Sequence, residues 1–233
     1  NIYSFRYNLL KRYIYNLPSQ GINLLLSLLQ TDPSAFLFLS ISLIFSLCFH
    51  EFSHSFIALR LGDDTSYRLN RTNINPMNHL DPIGTLMIFF VGFGWAKPVP
   101  VNPYNLKNPT KDMMKIAFAG PASNLILAFI SLLLIKIFSS GDSVFMIFYY
   151  INLALAVFNL LPITPLDGSQ IFNPIIYKFN PKAANFLAQY GSQILFGLIL
   201  FGLFTGYSLL WNLMSPIISL LNSIFVLLVN FLW

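Results

Sequence analysis

Charge is scarce in this sequence. Only 9% of the 233 residues are Asp, Glu, Lys or Arg, against about 25% in an average soluble domain. Cysteine occurs once, as Cys48, which excludes an intrachain disulfide and any cysteine-based metal cluster. Its place in an apolar run reads as a buried, inert thiol. Glutamate also occurs once, as Glu51, and histidine only at 50, 54 and 79. No stretch is long and polar enough to form a separate soluble domain. Apolar residues fill that space: 56% of the chain is hydrophobic, with a mean hydropathy of +0.67. The composition is that of an all-α polytopic membrane protein whose main partner is the lipid bilayer. The net charge of +5 then reads as loop bias, and no nucleic-acid partner is expected.

About five transmembrane helices are expected, plus a re-entrant or short β-like element after the first of them. Residues 1–33 mix Arg6, Lys11 and Arg12 with tyrosines and read as an interfacial segment. Asp32-Pro33 is a helix-start signal for a first span over 34–61. In the polar stretch 63–81, the alternation of Tyr67, Leu69 and Arg71 with Ser66, Arg68 and Asn70 suggests a short strand or hairpin. Residues 82–95 are apolar but cover about half a span, interrupted by Gly84, Gly92 and Gly94, and read as re-entrant. Four prolines between 96 and 109 exclude a helix or a central strand. Further spans are read at 112–138, 144–161, 183–204 and 208–232, the last two joined by a tight turn at Thr205-Gly206. The organisation is thus an N-terminal segment (1–33), a core (34–182) and a C-terminal helical hairpin (183–233).

The basic residues orient this arrangement. Arg60, Arg68, Arg71, Lys97, Lys107, Lys111, Lys115, Lys178 and Lys182 fall on one side, whereas the opposite loops at 139–143 and 205–207 carry none. The positive-inside rule makes the basic side cytoplasmic. Arg6, Lys11 and Arg12 run against it.

Two of the three histidines lie inside the first span, in Phe49-His50-Glu51-Phe52-Ser53-His54. Residues i and i+4 share one helix face, so two imidazoles can reach one zinc ion, and a glutamate beside the first can serve as general base. At 1.5 Å per residue the pair sits roughly 10–16 Å from the cytoplasmic end of its helix. A catalytic zinc usually takes three protein ligands. Candidates for the third are His79, Asp63, Asp64, Asp81, Asp112, Asp142 and Asp167. Asp167 stands out because Pro162 and Pro165 break a helix just before it, and freed backbone within a membrane is tolerable where it lines a cavity. Gly168 adds backbone freedom. His79 reads as a loop histidine, and Ser123 and Asn124 as packing and interhelical hydrogen-bonding groups.

These pieces resemble the site-2 protease family of intramembrane zinc metalloproteases, in its compact prokaryotic form without a PDZ domain. Phe49–His54 is similar to its zinc helix, Asn159–Gly168 to its asparagine-proline-aspartate-glycine motif, and Ala119–Asn124 to the glycine-proline segment of its middle helix. The stretches His79–Gly84 and Gly94–Pro103 also resemble compact members. The likeness covers roughly residues 35–175. It implies Zn2+ held by His50, His54 and Asp167, Glu51 as catalytic base, and Asn159 holding substrate or the oxyanion. It also implies a transmembrane protein substrate and a prokaryotic cell membrane, with the site toward the cytoplasm. Ser169-Gln170 departs from the glycine and arginine of many members, and Ser53 from a frequent glycine. A non-proteolytic zinc-binding protein or metal carrier is the competing class. Glu51 argues against it, since binding alone needs no base. Under the protease reading, the Asp63–Asn73 segment is expected to hold an unwound substrate by strand addition.

Overall fold

The computed structural model describes residues 29–91, 94–138 and 143–232. The expected interfacial segment 1–33 lies almost wholly outside the described residues, as does the centre of the loop at 139–143. Helix α1 (Pro33–Arg60) begins as its sequence suggests: Asp32 accepts a hydrogen bond from the Ala35 amide, and Pro33 occupies the first turn. It ends at Gly62, whose φ of +107° is open to glycine at little cost. Its side chains are sorted in reverse of a soluble helix. Ser40, Ser42, Ser46, Cys48, His50, His54, Ser55 and Ala58 are buried, whereas Leu37, Phe38, Ile41, Phe45 and Phe56 are exposed. Small and polar groups inside and large apolar groups outside suit a helix surrounded by lipid.

Polar chain follows. The expected strand near 66–71 is instead a helical turn, α2 (Thr65–Arg68). Its cause is Asp63, whose carboxylate accepts from both the amide and the hydroxyl of Thr65. Ser66 and Arg71 turn inward and Tyr67 and Leu69 outward, so the alternation does not mark a sheet face. Two more helices, α3 (Pro76–His79) and α4 (Pro82–Val91), precede a reversal of the chain. Trp95 then passes so close to Gly84 that a Cβ there would meet the Trp95 carbonyl. Leu80 and Ala96 form an isolated antiparallel bridge, and the Lys97 amide donates to the His79 carbonyl at 2.7 Å. No strand forms among the described residues. The β-like expectation reduces to this single bridge, because four prolines deny the segment a ladder.

Helix α5 (Pro109–Ile137) runs antiparallel to α1 and packs against both α1 and α6 (Ser143–Asn159). Residues 160–166 are irregular, and α7 (Asp167–Phe179), an amphipathic helix not foreseen from the sequence, starts at Asp167. Helices α8 (Pro181–Thr205) and α9 (Leu209–Phe231) turn at Gly206, with φ +72°. Phe129 stacks edge-on against Phe225 and Lys136 donates to Asn230, so α9 runs in the same direction as α5, and the 205–207 turn lies toward the basic end of α5 rather than opposite it as expected. Ala128, Tyr149, Leu153, Val157, Leu161, Leu195, Met214 and Ile218 form the main core. Four helices, α1, α5, α8 and α9, are long and apolar enough to cross a membrane. The expected fifth, α6, is a shorter apolar helix because the chain breaks at Asn159.

Candidate metal centre

Helix α1 presents His50 and His54 on one face, with their rings 4.6 Å apart and edge to face. Their Nε2 atoms are 3.0 Å apart. Asp167 reaches in from the first turn of α7, with its Oδ2 at 3.0 Å from His50 Nε2 and 3.3 Å from His54 Nε2. Asp167 is steered there by the break after α6. Gly168 lies so tightly on the Leu160 and Leu161 carbonyls that no side chain fits. Both histidines are buried, at 4% and 7% exposure, and among the described residues these three form the only His/Cys/Asp/Glu group spaced to share a metal ion.

The donors suit zinc. The His54 Nδ1 lies 2.7 Å from the Ile116 carbonyl oxygen, which can only accept. In the neutral ring the proton is therefore on Nδ1, and Nε2 points a lone pair at the other two donors. In a tetrahedral zinc site with bonds of about 2.0–2.1 Å, neighbouring donors stand about 3.3 Å apart, close to the spacing seen. Room for the ion comes from α5. A Cβ on Gly120 would fall 2.5 Å from the Nε2 of each histidine.

Glu51, the next residue along α1 from His50, is tied to the Pro-rich segment. Its Oε2 accepts from the Val99 amide at 3.1 Å. That amide belongs to the Pro-rich segment, which Arg71 holds in place by donating from Nη2 to the Lys97 and Pro98 carbonyls. Arg71 is buried among these carbonyls, and no sequence signal marked it for this position. Asn159 closes α6, and its Nδ2 donates to the Leu155 carbonyl at 3.0 Å rather than to the histidines or Asp167. Asn124 does touch the centre, with its Oδ1 2.6 Å from His50 Nδ1. An asparagine deep in an apolar helix was the available signal for that contact.

The other ligand candidates among the described residues are occupied elsewhere. Asp63 accepts from Thr65, Asn102 and Asn105, Asp64 pairs with Arg68, Asp81 accepts from the Gly84 amide, and Asp112 pairs with Lys115. His79 is buried, with Nε2 on the Asn73 carbonyl at 2.6 Å. Burial, together with the nearby Arg71 charge, holds its pKa below the usual histidine range. Asp142 lies outside the described residues.

Comparison with known proteins decides the family. The chain is 39% identical over 204 residues to YwhC of Bacillus subtilis, named as a candidate zinc metalloprotease, covering 81% of this chain and 92% of that protein. The Peptidase family M50 profile matches residues 136–202. The chain belongs to peptidase family M50, the site-2 protease family. MJ0611 of Methanocaldococcus jannaschii, also named as a candidate zinc metalloprotease, is 32% identical over 134 residues, covering 55% of this chain and 66% of that protein. Rip2 of Mycolicibacterium smegmatis, named likewise, is 30% identical over 171 residues, covering 66% and 63%. No solved structure matches. The M50 window contains Asp167 and Asn159 and begins beyond His50 and His54. This M50 member is accordingly a zinc metalloprotease and an integral membrane protein, with Zn2+ as its cofactor. The metal-carrier alternative gives way to this assignment.

Proposed function

We propose that this protein cleaves peptide bonds of transmembrane protein substrates within the bilayer, using zinc held by His50, His54 and Asp167. The observation that carries the reading is the convergence of those three donors within 3.3 Å of one another, on the buried face of an apolar helix. Zinc, when bound, supplies a Lewis acid that polarises the scissile carbonyl and lets a water attack at neutral pH. Glu51 takes the proton of that water and returns it to the leaving amine. The Val99 amide, donating to Oε2, holds the carboxylate in place for this task. Asn159, at the edge of the 160–166 break, holds the substrate or its developing oxyanion.

A helical substrate hides its peptide bonds, so it must be unwound locally. The extended Pro-rich segment beside Glu51 is better suited to hold that stretch than residues 63–73, where a helical turn replaces the expected strand. The basic residues between Arg60 and Lys115 support a cytoplasmic position for that end of α1, in a prokaryotic cell membrane. Residues 34–182 form the catalytic core, with 183–233 as the C-terminal helical pair.

The test compares Glu51→Gln with wild type for zinc content and for cleavage of a single-span substrate in proteoliposomes. Full zinc with cleavage reduced by at least about a hundredfold is expected, in line with the usual weight of a positioned acid–base group. A variant that retains zinc and cleaves like wild type would overturn the reading. Asp167→Ala should lose zinc; full occupancy would exclude it as a ligand.

A further inference from the structure

Two asparagines on different helices, Asn124 of α5 and Asn152 of α6, are completely buried. In an apolar bundle such groups persist where each polar atom is matched. Asn152 Nδ2 lies 2.9 Å from the Phe148 carbonyl, which can only accept. The amide nitrogen must therefore face Phe148, and Oδ1 must face Asn124. Asn124 in turn must offer Nδ2 to Asn152 Oδ1, at 2.9 Å, and the same nitrogen reaches the Ser46 carbonyl at 3.4 Å. Its own Oδ1 is then turned to His50 Nδ1, at 2.6 Å. An oxygen there requires the His50 proton on Nδ1, leaving the Nε2 lone pair beside His54 and Asp167. Each orientation follows from the previous one, and the series starts at a backbone carbonyl that cannot be reversed.

We propose that Asn152 is a positioning residue of the metal centre: acting through Asn124, it fixes the tautomer and ring direction of His50 so that Nε2 faces the metal. The proposal rests on His50 being a ligand. Outer groups that orient a ligating imidazole commonly change metal affinity by about 10–100-fold. Of the two hydrogen bonds of Asn152, the one that leads to the centre goes to the amide of Asn124.

The experiment measures zinc affinity of the purified full chain by competition with a chromophoric chelator, with thermal stability alongside. Asn152→Leu, which removes the acceptor, should weaken zinc binding by about tenfold or more. Asn152→Asp should stay within about threefold of wild type, because a carboxylic acid there keeps both partners, accepting from Asn124 Nδ2 and donating its O–H to the Phe148 carbonyl. In the Asn124→Asp background an oxygen faces His50 whichever way the group is turned, so adding Asn152→Leu should cost no further affinity. Equal losses in Asn152→Leu and Asn152→Asp, or an undiminished loss in the Asn124→Asp background, would mean a packing role and overturn the proposal. Unchanged affinity in Asn152→Leu would overturn it too. His50→Ala separates the two levels: if it also keeps zinc, the ligand assignment has failed, and if it alone loses zinc, only the relay has.

Discussion

At the scale of single residues, Gly120 shows how little space the centre leaves. Replacing glycine by alanine inside a helix usually adds up to about 1 kcal/mol of helix stability. Here the added methyl would sit 2.5 Å from both Nε2 atoms. Gly120→Ala is expected to keep its fold and lose most of its zinc and activity. Metal analysis beside a thermal melt checks this, and full zinc occupancy would mean that α5 does not press on the site. Asp63 gives the pH counterpart in the polar loop. Burial alone would raise its pKa, but hydrogen bonds from Thr65, Asn102 and Asn105 outweigh that and hold it below the usual range. The fold therefore binds the ionised form. Its contribution is present above the ordinary aspartate pKa of about 3.9 and is lost as pH falls through the lower folded value. Asp63→Asn should lower the melting temperature at pH 7, with the gap to wild type narrowing on acidification below about pH 4. Persistence of the full gap at low pH would show that charge is not the cause. The convergence of His50, His54 and Asp167 was legible in the sequence, because histidines in an apolar run and an aspartate at a broken helix end are conspicuous. Arg71 and the Ile116 carbonyl were not. One is a lone cation in a loop, and the other is backbone, which carries no residue label.

At the scale of elements, the position of Asp167 depends on how α7 is joined to α6. The start of α7 lies directly on the Leu160 and Leu161 carbonyls at Gly168. Gly168→Ala must push the first turn of α7 away, so zinc affinity should fall although no ligand is changed. A chelator competition that finds wild-type affinity would contradict this. The Pro-rich segment depends in the same way on Arg71. Arg71→Met keeps the length of the side chain and removes both carbonyl contacts. Faster proteolytic nicking between 94 and 103 and a raised KM are expected, with zinc content unchanged; an unaltered nicking rate would exclude the clasp. Helix ends were readable where capping chemistry was local, as at Asp32-Pro33 and Gly206. The 65–68 turn was misread as a strand because its cause, the Asp63 carboxylate folded over Thr65, produces no periodic pattern. Helix α7 was missed because Pro174 lies inside it and hides its amphipathic face from a rule that treats proline as a boundary.

At the scale of the molecule, the number of spans was the hardest quantity to read. Apolar length alone does not separate the long crossings from α6, which stops at Asn159, and the direction of α9 follows from contacts such as Lys136 with Asn230 that no local signal announces. The bundle also brings three possible ligand atoms, His50 Nε2, His54 Nε2 and Asp167 Oδ2, within 3.3 Å of one another. Removing zinc should therefore lower thermal stability as well as abolish cleavage, and restoring zinc should recover both. A metal-free form that melts at the holoenzyme temperature would mean the bundle is indifferent to its ion. The separation of the donors along the chain has a consequence for biogenesis. His50 and Asp167 are 117 positions apart. A ribosome that has delivered α1 to the membrane has produced the two imidazoles without the Asp167 carboxylate, a weak and incomplete claw. With the proposed ligand set, competence waits until α5 and α6 have been inserted and α7 has begun, so a half-made chain is inactive during synthesis.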